Sequence, residues 1–463
     1  GLGGIWYQWM WLFCTPFYWL IAPITRRLRY LTTGDFFRER YSVGLERLYA
    51  VLVLVFYAMI IAQVVLGAGN AISGATGGAI QLGHAVVLLS VISAIYVMTG
   101  GLVAAAYTDI IQGILIIVLS LLLIPFGLHA AGGVDGLAKA IPKDMLSIVA
   151  PPGAKEGTLF FVAMLSLMSL VGIPVQPHTL TATGSGKTEF EARVGMTYGN
   201  FIKRLLTIAW AFVGVMGFAL FTPELTAKTS DQVWGRSIQA LLPVGFRGLM
   251  LAAMLAGVTA CETYMVVGSA IFTRNFYEHF LPGRGDKHYL LVGRLMSAAM
   301  LLAGILVAFA MPSLTKILKI SFEIIAFMGA AFWVGITWRR ANAWGAWAGT
   351  LGAFAAWAIT YRLGWDTPAR VALFVPVEFG LLILVSWLTR PQPAEQLDRF
   401  FARLHVSVAD EQKGALALDP QRPKLINHPD FELPKLTWLD LGGFLLAWAF
   451  VAALIVLLLA LAR

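Results

Sequence analysis

Two carboxylates lie inside long apolar runs of this sequence, and they raise the first chemical question about it. Asp109 stands close to Gln112 between two such runs, and Glu262 follows Thr259 within another. A carboxylate at membrane depth is costly unless it is protonated or paired, so it is by default a hypothesis for ion or proton binding. Asp109 is a candidate for attracting a cation, with a helix N-cap role as the structural alternative. Glu262 is a candidate proton site, or a neutral carboxyl that joins two helices.

The apolar run at 157–175 is interrupted near its end by a glycine and a proline. Pro174 lacks an amide donor and clashes with the preceding turn, so backbone carbonyls near Gly172 are freed. Unpaired backbone at membrane depth is tolerated only beside protein or a wet cavity, and broken helices in transporters direct their ends at ions and substrates. Ser169, Gly172 and Gln176 are therefore candidate substrate ligands. A simple kink near a helix end is the alternative.

The elements that must position these residues are membrane helices. The chain has 463 residues, of which 59% are hydrophobic and 13% charged, whereas about 25% are charged in soluble domains. A helix of roughly 20 apolar residues crosses the hydrocarbon layer with its backbone amides paired within the segment. The sequence therefore predicts an all-α integral membrane protein with about twelve transmembrane helices. These spans are predicted at 5–25, 46–69, 79–98, 102–128, 157–175, 201–221, 246–272, 289–311, 315–337, 342–361, 371–389 and 438–462.

Basic residues are distributed unevenly over the predicted loops. If the first residue lies outside and the spans alternate, most of the 34 basic residues fall in cytoplasmic loops, with Lys203 and Arg204 counted among them. The positive-inside rule expects this asymmetry, and it predicts a multi-pass protein of the cell (inner) membrane with both chain ends outside. The formal charge of +9 is thus assigned to topology, and no nucleic-acid partner is expected. Cys14 and Cys261 fall within spans and are predicted to be buried thiols.

Five segments of the chain carry motifs that occur together in one family of transporters. Residues 96–112 contain Tyr96, a Gly-Gly pair, Thr-Asp109 and Gln112 at a characteristic spacing. Further motifs follow the same order as in that family, at 32–42, 191–195, 340–346 and 397–405. Each is weakly specific alone, but the five are strong together. On these residues the chain resembles the sodium:solute symporter family, whose members carry sugars, proline, sialic acid and similar solutes.

The resemblance implies the LeuT fold, in which two five-helix units of opposite topology enclose a site at the membrane midplane. The loop matched by 32–42 follows the third span in the family, whereas here it follows the first. Two helices, including the first core helix, are therefore expected to be missing from this sequence. A fragment, a trimmed start and a reduced homologue are the alternatives. The transporter bundle is predicted at 1–390, a cytoplasmic loop at 391–436 and a final membrane helix at 437–463.

The resemblance also implies residues that face the solute. Tyr7 and Gln8 match a Tyr-Glu pair that contacts the solute in the sugar-carrying branch of the family, and Trp11 stands where that branch has a small hydroxyl residue. Gln8 lacks the charge of the glutamate, and the Trp11 ring favours a smaller or flatter solute than a sugar. An aromatic belt at the membrane interface is the alternative for the tryptophans.

A cation site is implied in the seventh predicted span. Ala256 and Thr259 match a carbonyl and a hydroxyl that bind sodium in the family, whereas Ala260 replaces a second hydroxyl. Because a hard cation needs several oxygen ligands, this replacement is expected to weaken sodium binding. Glu262 matches an acidic position just beyond, and Asp109 completes the candidate set. Sodium is favoured as the coupling ion with protons as the alternative, and no other cofactor is expected.

The sequence therefore predicts a secondary active transporter that takes up a small polar solute down a cation gradient by alternating access. A non-transporting membrane subunit that keeps the fold is the alternative. Enzyme activity is not expected, because the loops carry no paired carboxylates, metal-spaced cluster or nucleophile triad. Residues 182–188 lack the first glycine of a phosphate-binding loop and are predicted to be a flexible turn. The expected partners are the solute, the ion and lipid, and a protein partner is left unspecified.

Overall fold

The computed structural model describes residues 1–151, 153–154, 156–184, 186–222, 229–257, 261–406, 424–426, 428–433 and 435–462, with the side chains at 96–109, 180–182 and 255–257 excepted. Within these ranges the chain is built from helices, joined by turns and one isolated antiparallel bridge between Trp338 and Phe431.

The helices are numbered here in chain order. The first half of the chain forms α1 (Trp6–Trp9), α2 (Tyr18–Leu28), α3 (Thr33–Arg40), α4 (Val43–Ala75), α5 (Leu82–Ala130), α6 (Gly133–Ala140), α7 (Leu159–Gly172), α8 (Pro177–Gly184), α9 (Glu189–Phe221) and α10 (Val233–Leu241). The second half forms α11 (Val244–Gly257), α12 (Cys261–Phe272), α13 (Glu278–Phe280), α14 (Asp286–Ala310), α15 (Leu314–Ala326), α16 (Gly329–Gly335), α17 (Ala343–Arg362), α18 (Thr367–Leu388), α19 (Ala394–His405) and α20 (Trp438–Leu461). Short 3-10 segments lie at Leu2–Ile5, Thr15–Phe17, Lys143–Leu146, Ile173–Val175 and Ser230–Gln232, and a π-helical turn lies at Thr273–Tyr277.

In the part of the chain that the structure describes, seven helical stretches are long and apolar enough to cross a membrane, which confirms the predicted all-α integral membrane class. They are α4, α9, α14, α18, α20, the part of α5 at Ile110–Ala130, and the stretch Leu314–Gly335 that covers α15 and α16. The predicted total of twelve spans and the missing first core helix stay predictions.

Three predicted spans differ from the helices of the structure in extent or continuity. The runs 79–98 and 102–128 belong to one helix, α5, of 49 residues, because no proline interrupts the chain between Leu82 and Pro125. The run 5–25 is broken into α1, a 3-10 turn and α2. Pro16 stands in the 3-10 turn Thr15–Phe17, where it starts the new helical segment.

Two of the sequence motifs act as helix caps. In the first, Thr32 accepts a hydrogen bond from the amide of Asp35, and the Asp35 carboxylate accepts one from the amide of Thr32, a capping box that begins α3. In the second, Asn342 Oδ1 accepts a hydrogen bond of 2.9 Å from the amide of Gly345 at the start of α17. A Cβ at Gly345 would collide with the hydroxyl of Ser386 on α18. The motif thus caps one helix and brings it close to the next.

The described residues of the segment 391–433 contact the bundle through charged and amide side chains. Gln396 on α19 donates to the carbonyl of Glu39, and Arg403 pairs with the Glu39 carboxylate at 2.6 Å. Arg339, in the turn after α16, pairs with Asp398 and Glu432. These contacts hold the segment against α3 and against the turn between α16 and α17.

Candidate functional site

The interrupted helix predicted from Gly172 and Pro174 is present. The helix α7 ends at Gly172, a 3-10 turn covers Ile173–Val175, and α8 begins at Pro177. Pro174 at the start of the turn and Pro177 at the start of α8 cannot donate amide hydrogen bonds, which is why the α-helical ladder stops here. This interruption is called the α7–α8 break below.

The carbonyls freed at the α7–α8 break are satisfied by side chains from three elements. Trp333 Nε1 donates to the carbonyl of Leu170 at 3.0 Å, and Tyr49 donates its hydroxyl to the carbonyl of Val175 at 2.8 Å. Thr179 donates its hydroxyl to the carbonyl of Ile173 at 3.1 Å. Because each acceptor has a fixed partner, the break is a built feature of the fold and not a frayed helix end.

A cavity of about 140 Å³ lies beside the α7–α8 break and is called the central cavity below. Its walls consist mainly of aromatic, amide and basic side chains, which belong to six helices, to the segment before α2 and to the α7–α8 break. The lining residues are Trp11, Tyr18, Phe56, Ile60, Gln176, His178, Asn200, Lys203, Arg204, Tyr264 and Phe322.

Ring contacts fix the walls of the central cavity. Trp11 meets Phe322 of α15 edge to face with centroids 4.5 Å apart, and Phe322 meets Phe56 of α4 at 5.6 Å. The rings of Tyr264 on α12 and His178 on α8 have centroids 6.4 Å apart. The helix that follows the predicted cation site therefore lies beside α8, and both helices contribute to the wall of the central cavity.

Polar residues of α9 form one face of the central cavity. Asn200, Lys203 and Arg204 stand at positions i, i+3 and i+4 of the helix, a spacing that places side chains on the same side. The charge count from sequence assigned Lys203 and Arg204 to a cytoplasmic loop, and this assignment is wrong. The helix α9 begins at Glu189, so both cations lie near the middle of a 33-residue helix.

The structure places two of the six predicted substrate residues in the lining of the central cavity, namely Trp11 and Gln176. Ser169 is buried one turn before the break, and a Cβ at Gly172 would lie 3.5 Å from Ala326 of α15. These two residues are therefore absent from the described lining of the central cavity. The roles of all six in binding stay predictions.

The remaining two substrate candidates lie on α1, away from the lining of the central cavity. Gln8 is half-buried on that short helix. Tyr7 donates its hydroxyl to Glu156, which also accepts a hydrogen bond of 2.7 Å from Lys319 of α15. Burial acts to raise the pKa of Glu156, but the bonds from Lys319 and Tyr7 outweigh it and hold that pKa below its ordinary value. Tyr7 thus belongs to a small ionic cluster that links α1, α15 and the chain before α7.

The predicted cation ligands are described only in part. Thr259 lies outside the described residues, and the side chains of Ala256 and Asp109 do as well. Glu262 is buried, with 2% of its surface exposed, and stands in the first turn of α12. Cys261 beside it and Cys14 are free and buried, which confirms the prediction for the two thiols.

A larger groove of about 490 Å³ lies elsewhere, at the surface between the chain before α7 and the start of α18. Its walls include Val149, Phe160 and Pro368, with Asp366 as an ionisable neighbour. It does not adjoin the α7–α8 break. The central cavity, and not this groove, therefore adjoins the interrupted helix.

Comparison with known proteins agrees with this architecture. The sequence profile of the family described as "Sodium:solute symporter family" matches residues 1–352. Sodium/myo-inositol cotransporter 2 of Bos taurus is 26% identical, over 85% of this chain and 68% of that protein. The sodium/pantothenate symporter of Haemophilus influenzae is 28% identical, over 70% of this chain and 68% of that protein. The solved structure of a Na⁺-coupled sialic acid symporter in a substrate-bound outward-open state superposes with a TM-score of 0.68 at 17% identity, over 84% of this chain and 86% of that one.

The helical bundle, the α7–α8 break and the central cavity define an integral, multi-pass membrane protein of the transporter type. The profile spans most of the sequence, and the chain belongs to the sodium:solute symporter family. The likeness to the sialic acid symporter is one of fold.

Proposed function

We propose that this protein is a secondary active transporter that couples the uptake of a small polar solute to a sodium gradient by alternating access. The observation that supports it best is the central cavity beside the α7–α8 break, walled by α4, α9, α12 and α15. A solute in that position is reached from one side at a time when the surrounding helices rock about it. The curated relatives are sodium cotransporters of myo-inositol and pantothenate, which agrees with the coupling and leaves the solute open.

The coupling ion is proposed to bind where α11 ends and α12 begins. Ala256 and Thr259 supply a carbonyl and a hydroxyl in this proposal, and Glu262 is the buried carboxylate nearest to them in the chain. Asp109 is proposed to attract the cation on its way out. Sodium is favoured over protons because the matching positions in the family are sodium ligands. Protons remain the alternative since Glu262 could carry one.

The protein is proposed to reside in the cell (inner) membrane with both chain ends outside. The basic residues that support this orientation include Arg339 and Arg403, which lie in or beside the segment 391–433. Correcting Lys203 and Arg204 from loop to helix interior removes two cations from the cytoplasmic count, but the excess on that side persists.

Uptake by proteoliposomes tests the proposal directly. The purified chain is reconstituted, and sodium and proton gradients are imposed separately while accumulation of labelled myo-inositol, pantothenate and other small solutes is measured. Sodium-dependent accumulation of any solute supports the proposal. Absence of gradient-driven accumulation across the panel contradicts it and favours a non-transporting subunit.

Two substitutions assign the coupling ion. Thr259→Ala is expected to raise the sodium concentration that gives half-maximal uptake by about tenfold, with the exposed Thr315→Ala as a matched control. Glu262→Gln is expected to abolish proton-driven uptake and to spare sodium-driven uptake, with the exposed Glu278→Gln as its control. Unchanged sodium dependence in Thr259→Ala would count against the proposed site.

A further inference from the structure

The central cavity carries an unbalanced charge. Two of its lining residues, Lys203 and Arg204, are basic, and its other lining residues are aromatic, apolar or neutral polar groups, together with His178. The cavity thus presents positive charge to whatever enters it. A site lined by one sign of charge and by low-dielectric walls concentrates ligands of the opposite sign.

Arg204 is the residue that makes this imbalance chemically significant. It is 2% exposed, and its Nε and Nη1 atoms have no hydrogen-bond partner within the described part of the chain. Its titratable neighbours include Lys203, which carries the same charge, and the Cys14 thiol and Tyr18 phenol, which are neutral at physiological pH. The Trp11 ring lies 5.8 Å from its guanidinium, and the Trp9 indole holds its backbone carbonyl at 3.2 Å.

A buried guanidinium without an anion is costly, because its hydration is lost and nothing replaces it. The ring of Trp11 offsets only part of that cost, since a cation–π contact is weaker than an ion pair. The positioning of Arg204 by Trp9 and Trp11 therefore fits a group that is completed by a ligand.

We propose that the solute is a small organic carboxylate whose anionic group is held by Arg204 and Lys203 in the central cavity. The proposal rests on the function proposed above, in which this cavity is the solute site. A guanidinium matches a carboxylate with two parallel hydrogen bonds, and Nε or Nη1 of Arg204 can each form such a donor pair together with Nη2. The Lys203 ammonium on the same face of α9 supplies a second positive charge.

Other groups of the central cavity complete the description of this solute. Gln176 is 3% exposed, and its Nε2 atom has no hydrogen-bond partner among the described residues, so it is a further donor for a carboxylate or a neighbouring hydroxyl. Phe56, Tyr264 and Phe322 face the remaining space and suit an apolar or flat body. A volume of about 140 Å³ is close to the ~150 Å³ of an engineered cavity that holds benzene. The solute is therefore a compact monocarboxylate.

Ligand-induced thermal stabilisation of the purified chain in detergent tests the charge preference. The probes are propionate and benzoate, their uncharged amides propionamide and benzamide, and methylphosphonate, all at constant chloride. The carboxylates are expected to bind at least about tenfold more tightly than the amides. Equal stabilisation by carboxylate and amide, or no stabilisation by either carboxylate, would overturn the proposal. Preference for methylphosphonate, or an equal response to added chloride, would also overturn it, since the ligand would then be a phosphate-like or inorganic anion.

Three variants test whether Arg204 causes the preference for carboxylates over amides. Arg204→Gln is expected to weaken carboxylate binding by about tenfold to a hundredfold and to leave the weak binding of the amides unchanged. Arg204→Lys, which keeps the charge but not the paired donors, is expected to restore part of the affinity. The exposed Lys187→Gln removes the same charge outside the central cavity and is expected to change nothing. Undiminished carboxylate affinity in Arg204→Gln would exclude Arg204 as the anchor.

Uptake measurements separate this proposal from the proposed function. Sodium-driven uptake of neutral solutes alone would leave the transporter function standing and would refute the carboxylate assignment. Carboxylate binding that depends on Arg204, without gradient-driven uptake, would support the carboxylate assignment and refute the transporter function. Sodium-driven uptake of carboxylates that is lost in Arg204→Gln and kept in Lys187→Gln supports both.

Discussion

Two buried arginines in this protein have opposite surroundings. Arg370 at the start of α18 donates to Glu323 of α15 through Nε at 3.1 Å and Nη2 at 2.8 Å, and its Nη1 donates to the carbonyl of Trp365 at 2.6 Å. Within the described ranges, no carboxylate or carbonyl accepts a hydrogen bond from Nε or Nη1 of Arg204 in α9. Both side chains are removed from solvent, at 7% and 2% exposed. The difference is therefore one of partners and not of depth.

A third arginine shows which of the two is typical of a structural role here. Arg40 is fully buried and donates to the carbonyls of Gly335, Trp338 and Ala341 at 2.7 to 3.1 Å. It ties α3 to the turn between α16 and α17. The buried arginines of the described residues are Arg40, Arg193, Arg204 and Arg370, and Arg204 is the one among them with unpartnered nitrogen atoms. Its surroundings therefore suit a group that binds a ligand.

The largest effect is expected from Arg370→Leu. Removal of one partner leaves the Glu323 carboxylate buried without its counter-charge, so the variant should lose about 3–5 kcal/mol of stability. The measurement is the melting temperature of the purified protein in detergent. The double variant Glu323→Leu with Arg370→Leu is expected to recover most of that loss, because replacing a whole buried pair by apolar groups is often neutral. If the single variant melted like the wild type, the pair would not be the structural element described above.

The second-largest effect is expected at Glu432. In contrast to Arg204, which lacks an anionic partner, this carboxylate has three basic partners. Burial acts to raise its pKa, but hydrogen bonds from His405, Arg339 and Lys424 lower it to about 2. A pKa shift of this size corresponds to a contribution of about 3 kcal/mol to the free energy of unfolding, and partial exposure of the basic partners reduces that contribution to about 2 kcal/mol. Glu432→Gln should therefore lower the melting temperature at pH 7.

The stability difference between the wild type and Glu432→Gln should depend on pH. Because the folded-state pKa of Glu432 is depressed, its contribution is complete above the unfolded pKa of about 4.3 and is lost as the pH falls toward 2. The wild type and Glu432→Gln should accordingly differ most at pH 6 to 7 and converge below about pH 4. A difference that stayed constant down to pH 3 would mean that packing, and not charge, accounts for the loss.

The third effect distinguishes Arg204 from Arg370 by stability. Arg204→Leu removes an uncompensated charge, so its melting temperature without solute should equal or exceed that of the wild type even though about 0.5–1 kcal/mol of contact with Trp11 is lost. Carboxylate affinity should fall by at least about tenfold in the same protein. A loss of stability as large as that of Arg370→Leu would show that Arg204 has a structural partner within the chain.

The assignment of Arg204 also shows where sequence reasoning failed and why. The sixth span is predicted to start at 201, because polar residues before it, such as Glu191 and Arg193, lower the hydropathy of that stretch. The helix in fact begins at Glu189, where Thr188 caps it. The charge count places Lys203 and Arg204 in a loop, although the i, i+3, i+4 spacing of Asn200, Lys203 and Arg204 fits one face of a helix.

Other features were predictable because their causes are local. The two prolines near Gly172 stop α7 whatever surrounds them, and the Thr32 and Asn342 motifs cap helices through side chains three residues away. The continuity of α5 was not predictable, because a Gly-Gly pair at 100–101 permits either a turn or a helix. The partners of the freed carbonyls at the α7–α8 break, such as Tyr49 and Trp333, come from distant segments, and a single sequence does not reveal them.

The smallest effect is expected from Tyr7→Phe, which tests whether Tyr7 faces the solute. In the structure its hydroxyl donates to Glu156, whose side chain is 48% exposed and keeps its ion pair with Lys319 when that hydroxyl is removed. A bond to a partly solvated carboxylate contributes about 1 kcal/mol at most, so solute affinity and uptake should change by less than roughly fivefold. Lys319→Gln, which removes the charged partner of the same carboxylate, is the matched comparison and should have the larger effect on stability. If Tyr7→Phe instead weakened solute binding as strongly as Arg204→Gln, the solute would have to extend from the central cavity to α1, and a body larger than a compact monocarboxylate would be required.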